Sequence, residues 1–142
     1  MAFSTVFRSS IASLIFTATA IANVADNAAA SPITNIEISL HTADPTSGNQ
    51  TTSESAYTSY ARVPVARTTS GYTDTAGVVT NDAAITFPAA TGGTSTVTHV
   101  GNGTAHTSTG VMIVAGALTA SLSVSSGITP QFAISGLTVT IA

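Results

Sequence analysis

Two hydrophobic periods divide the chain. Near the start, Phe3, Phe7, Ile11, Leu14 and Ile15 recur at spacings of three and four, the period of one helix face. Ser4 stands just ahead of them as a helix N-cap, and residues 28–32 carry the break. From Ile33 onward the period falls to two. Ile36, Ile38 and Leu40 alternate with Glu37, Ser39 and His41, which predicts a strand with one buried and one polar face. Val63 and Val65 repeat the pattern around Pro64. Proline cannot donate to a ladder, so that strand is expected at a sheet edge or a bulge. Ala83, Ile85 and Phe87 form a further inward set. Residues 94–100 are rich in β-branched Thr and Val, which suits a pleated surface. Residues 111–114 are continuously apolar and are expected to be covered on both faces. Leu118, Ala120, Leu122 and Val124 alternate, as do Phe132 with Ile134 and Leu137 with Val139 and Ile141.

Turn signals separate these runs: Ser47-Gly48, Ser70-Gly71, Thr91-Gly92-Gly93, Gly101-Asn102-Gly103, Ser126-Gly127 and Ser135-Gly136. Seven or eight short strands joined by such turns predict an all-β fold, an antiparallel β-sandwich of jelly-roll-like type with an N-terminal α-helix. The organisation expected is a helix and linker over residues 1–30 and one β-sandwich domain over 31–142. No repeat of 20–50 residues is present, which excludes a solenoid or a repeat-built shaft. Arg8, the apolar run 11–22 and the small residues after it also imitate a secretory signal. The helical spacing favours a helix that belongs to the fold.

Composition narrows the function. The 142 residues carry a net charge of −3, with only three basic residues (Arg8, Arg62 and Arg67) and no lysine. Three arginines cannot build the basic stripe that nucleic acid or an anionic membrane requires. The absence of cysteine excludes disulfides, thiolate catalysis and thiolate metal sites. The absence of lysine excludes Schiff-base chemistry and a phosphate-binding P-loop. Polarity comes instead from 26 Thr and 18 Ser. Surface charge keeps free monomers apart, so a chain this poor in charge suits a protein that works in an assembly.

Candidate chemistry is sparse. His41 and Asp44 stand three apart at a strand end, where they point to opposite faces. Asp44 precedes Pro45, and its side chain is expected to cap the turn. His99 and His106 flank a loop, but two histidines fall short of a metal site. Tyr57, Tyr60 and Tyr72 cluster near the polar loop, either as half-buried interface rings or as a small satellite core. Arg62 is expected to pair with Glu54 or Asp44, and Arg67 with Asp74. No G-x-S-x-G elbow occurs, and Asp74 and Asp82 read as loop acids rather than paired catalytic carboxylates. The expectation is a protein with no catalytic residues, no cofactor and no metal.

Residues 40–67 read LHTADPTSGNQTTSESAYTSYARVPVAR. The L-H-T-A-D-P motif, a polar loop and Y-T-x-Y-A-R-V-x-V-A-R resemble small structural proteins of tailed bacteriophages, labelled tail-fibre or head-decoration proteins. The resemblance continues more weakly through residues 81–93 and 127–142. It implies a place in a virion and no reaction. It also implies that His41, Asp44, Tyr57, Tyr60, Arg62 and Arg67 are the motif or interface residues to examine. The preferred expectation is a capsid decoration or cement protein on the head surface, partnered by the major capsid protein and by copies of itself, with a trimer as one form. The alternatives are a tail-associated fibre or receptor-binding module, in which Tyr57 and Tyr60 with Glu54 would form a sugar platform, and a secreted bacterial β protein.

Overall fold

The computed structural model describes residues 4–21 and 32–141. The expected helix residue Phe3 and most of the expected break at 28–32 lie outside them. Among the described residues, one helix and nine strands follow in chain order: α1 (Thr5–Phe16), β1 (Asn35–His41), β2 (Val63–Ala66), β3 (Tyr72–Thr75), β4 (Val78–Asn81), β5 (Ile85–Thr86), β6 (Ser95–Gly103), β7 (Met112–Val124), β8 (Gln131–Phe132) and β9 (Thr138–Thr140). The chain is mostly antiparallel sheet with one short N-terminal helix, consistent with the all-β sandwich class. The strands form three sheets, ordered β2-β1-β6-β7, β3-β4-β9 and β5-β8. Contacts divide the chain into two compact units, Met1–Asn35 with Ala66–Ile85 and Phe132–Ala142, and Ile36–Val65 with Thr86–Gln131.

The first unit holds α1 and the sheet β3-β4-β9. Ser4 caps the helix, its Oγ accepting from Phe7 N at 3.2 Å, as the sequence suggests. The buried face differs from expectation: Ala12 and Phe16 are the fully buried residues of α1. Phe16 meets the Tyr72 ring edge-on, with centroids 5.0 Å apart. Tyr72 is therefore a core residue of this unit. Ser9 and Ser13, one turn apart on the same helix face, both donate to Asp74 Oδ2, at 2.5 and 3.1 Å. β3 and β4 form a hairpin whose two turn residues, Ala76 and Gly77, have φ of 56° and 86°. That is the two-residue turn whose twist matches a right-twisted hairpin. Leu137 and Val139 are buried as expected, but Ile134 is exposed.

The second unit is built on β1. Ile36, Ile38 and Leu40 are buried on one face as predicted, and each fully buried side chain contributes about 1.5–3 kcal/mol. The opposite face departs from expectation, because Glu37, Ser39 and His41 are buried as well. β1 is a central strand with polar residues folded inward, which requires partners for each of them. Pro64 does lie on an edge strand, since β2 ends the sheet. Two other expectations are overturned. Gly101-Asn102-Gly103 is no turn but the end of β6; a Cβ on Gly103 would lie 2.1 Å from Gln50 Cδ, so glycine there admits a packed side chain. Residues 111–114 are not covered on both faces. Residues 112–114 open the edge strand β7, and Val111 just before it is 64% exposed.

Candidate functional site

The motif loop between β1 and β2 folds back onto β1 and is fastened by one acid. Glu54 sits opposite His41 in an isolated antiparallel bridge. Arg62 grips its carboxylate as a fork, Nε to Oε1 and Nη2 to Oε2, both at 2.7 Å. The third donor, Nη1, reaches the carbonyl of Ala105 at 2.7 Å. The side chains are only 4% and 15% exposed, so the pair is a buried, bidentate one. Glu54 holds the Arg62 guanidinium firmly in its charged form, with its pKa above the ordinary value. Tyr60 completes the lock. Its hydroxyl donates to Glu54 Oε1 at 2.9 Å and accepts from Leu40 N at 3.0 Å. Burial, more than any other influence, pushes the Tyr60 phenol far above its usual range.

The tyrosines do not form an open sugar platform. Tyr57 is 2% exposed, and its hydroxyl donates to the carbonyl of Pro88 at 3.0 Å. Its ring meets Tyr60 edge-on at 5.3 Å, and Tyr60 stacks at 6.3 Å on Phe87. Of the two readings open in the sequence, these rings form a satellite core under the loop. Asp44 caps its turn, accepting from Thr46 N at 2.9 Å. That hydrogen bond holds its carboxyl below the ordinary carboxylate value.

His41 is fully buried. Its Nδ1 lies 2.9 Å from the Thr52 carbonyl, so that nitrogen carries the proton. Nε2 then accepts from Ser39 Oγ at 2.8 Å. A serine hydroxyl beside an imidazole nitrogen resembles a nucleophile and its base. Both side chains are 0% exposed, however, and the third partner is a backbone carbonyl. In this conformation no substrate carbonyl can approach Ser39, and the pair ties the loop at Thr52 to β1.

Two further ties were not visible in the sequence. His106 Nδ1 lies 2.9 Å from Glu37 Oε2; the histidine is 56% exposed and the acid 7%. Gln50 Oε1 accepts from Ala105 N at 2.8 Å, and Gln50 N donates to the Thr109 carbonyl at 3.0 Å. Gln50, Arg62 and Glu37 thus hold the 104–110 loop by four separate contacts. The periodicity put Glu37 on a solvent face, and nothing in local sequence links it to a residue 69 positions away.

Arg67 belongs to the other compact unit. Its guanidinium donates to the last carbonyls of α1, from Nε to Ile15 O at 2.5 Å and from Nη2 to Leu14 O. A cation there satisfies orphan carbonyls and complements the negative end of the helix dipole. Asp74, expected beside Arg67, binds the helix serines described above. His41, Tyr60 and Arg62 thus converge on Glu54. Tyr57 packs beneath them, and Asp44 stands at the exposed turn. Among the described residues, no three His, Asp or Glu side chains converge in a way that could hold a metal ion.

A model of the family described as podophage GP4 fiber I protein gp80 matches residues 12–140. No curated protein matches the chain.

Proposed function

We propose, because the chain belongs to the podophage GP4 fiber I protein gp80 family, that this structural protein of a phage virion is a non-enzymatic module of the particle's fibre. The single observation that carries the fibre reading is the family description, matched over residues 12–140. Head decoration, the location preferred from the sequence, finds no support in that description. The partners are other virion proteins at the tail, together with copies of the same chain. The lock geometry supports a scaffold role. Arg62, Glu54, Tyr57 and Tyr60 spend their polar groups on the chain itself, which stiffens the loops and leaves hydroxyl-rich loop tips to face a partner.

The test is a phage carrying a stop codon early in this gene. Heads fill with DNA as in the wild type, while adsorption to the host falls by orders of magnitude and returns on complementation. Normal adsorption with leaky or unstable heads would contradict the fibre reading and restore decoration.

A further inference from the structure

Arg8, Arg62 and Arg67 are the only basic residues of the chain, and each is built into folded structure. A protease of trypsin specificity cuts after Arg or Lys. It must draw that whole side chain into a deep pocket and lay the flanking backbone out as an extended strand. Two things decide whether an arginine can be used in this way: where its guanidinium is spent, and what holds the residue after it.

Arg62 is buried. Its guanidinium is held by Glu54 and by the Ala105 carbonyl, and the next residue, Val63, opens β2, which pairs with β1. Arg67 is buried as well. Its guanidinium is spent on the Leu14 and Ile15 carbonyls. Its backbone N donates to the Thr34 carbonyl at 2.9 Å, and Thr68 N donates to the Ala66 carbonyl at 2.9 Å. Arg8 lies half-buried within α1, its backbone N bound to the Ser4 carbonyl at 3.0 Å. Ser9, which follows it, is fastened through its hydroxyl to Asp74. A Cβ on Gly77 would lie 3.1 Å from the Arg8 Cβ, so the base of the Arg8 side chain rests on the β3–β4 turn.

The exposed loop tips are the opposite case. Thr42, Ala43 and Asp44 face solvent, as do His106, Thr107, Ser108 and Thr109. Such tips are where proteases nick a folded chain first, and none of them carries Arg or Lys. The surface takes its polarity from the 26 Thr and 18 Ser, after which a trypsin-like enzyme does not cut.

We propose that the native chain offers no cleavage site to a trypsin-like protease, so that it persists as a particle component in surroundings where such enzymes are active. Cleavage waits for the opening of the element that holds each arginine. The inference does not depend on where in the particle the protein sits.

The test uses the full chain and trypsin, with the products followed by mass. The wild type stays whole through an exposure that digests the urea-unfolded chain completely. Thr107→Lys, which puts one basic side chain on an exposed tip, is cut at least about a hundredfold faster than any wild-type bond, and only after position 107. Mild denaturant speeds the cutting of the wild type in step with its unfolded fraction. Cutting of the native wild type at any of the three arginines, at a rate that denaturant leaves unchanged, overturns the proposal. So does a Thr107→Lys variant that resists as the wild type does, because general rigidity and not the placement of the arginines would then protect the chain.

Discussion

Arg62 and Glu54 face each other as a fork, with two parallel 2.7 Å contacts in a site almost closed to solvent. Removing one partner strands the other charge. Arg62→Ala should destabilise the protein by about 3–5 kcal/mol, because it leaves a buried carboxylate unpaired and the Ala105 carbonyl without this donor. Arg62→Lys keeps the charge but loses the fork, and should retain only part of the stability. Denaturant titration of the three proteins measures the difference. Equal midpoints for wild type and Arg62→Ala would remove the lock from the account.

Arg67 works on the helix. Arg67→Ala should cost about 1–2 kcal/mol through loss of the contacts to the Leu14 and Ile15 carbonyls. The effect should concentrate in α1, so hydrogen exchange in that segment should speed up far more than exchange in β6.

His41 should make the fold acid-sensitive. Burial lowers its pKa below the ordinary 6.5, and Arg62 and His99 add to the lowering against the opposing pull of the Thr52 carbonyl and Glu54. The unfolded chain therefore takes up this proton at a higher pH than the folded chain does. The His41 contribution to stability is fully present well above pH 6.5. It falls as the pH drops through that value and levels off below the folded pKa. Unfolding midpoints measured across this range should show the slope in the wild type and a shallower one in His41→Asn. Identical slopes would show that other groups set the acid response.

Two glycines in the same sheet should behave in opposite ways. Gly103→Ala puts a methyl group into the Gln50 side chain and should cost about 1–3 kcal/mol by overpacking. Gly116→Ala meets open space and should leave the isolated chain as stable as before or slightly more so. Thermal melts of the two variants check the contrast.

The elements were legible where one face decides them. Ile36, Ile38 and Leu40 announce β1, Ser4 announces the start of α1, and Pro64 announces an edge. The Arg62–Glu54 pair is close enough in sequence to be anticipated as one of two options. The polar interior was hidden, because alternation marks Glu37, Ser39 and His41 as a solvent face and gives no sign that the 50s and 104–110 loops cover them. Glycine carried a similar ambiguity. Gly101 and Gly103 look like turn residues, yet they make room for Met112 and Gln50. Arg67 and Asp74 both found helix partners, which opposite charge alone does not suggest.

The fibre assignment is tested most directly by locating the protein in fractionated particles. Filled heads and tails are separated on a gradient and their peptides identified by mass spectrometry after elastase digestion, since three arginines and no lysine leave trypsin few sites. The account predicts peptides of this chain in the tail fraction, at the low copy number of a fibre component. Abundant peptides in the head fraction and none in the tails would contradict it.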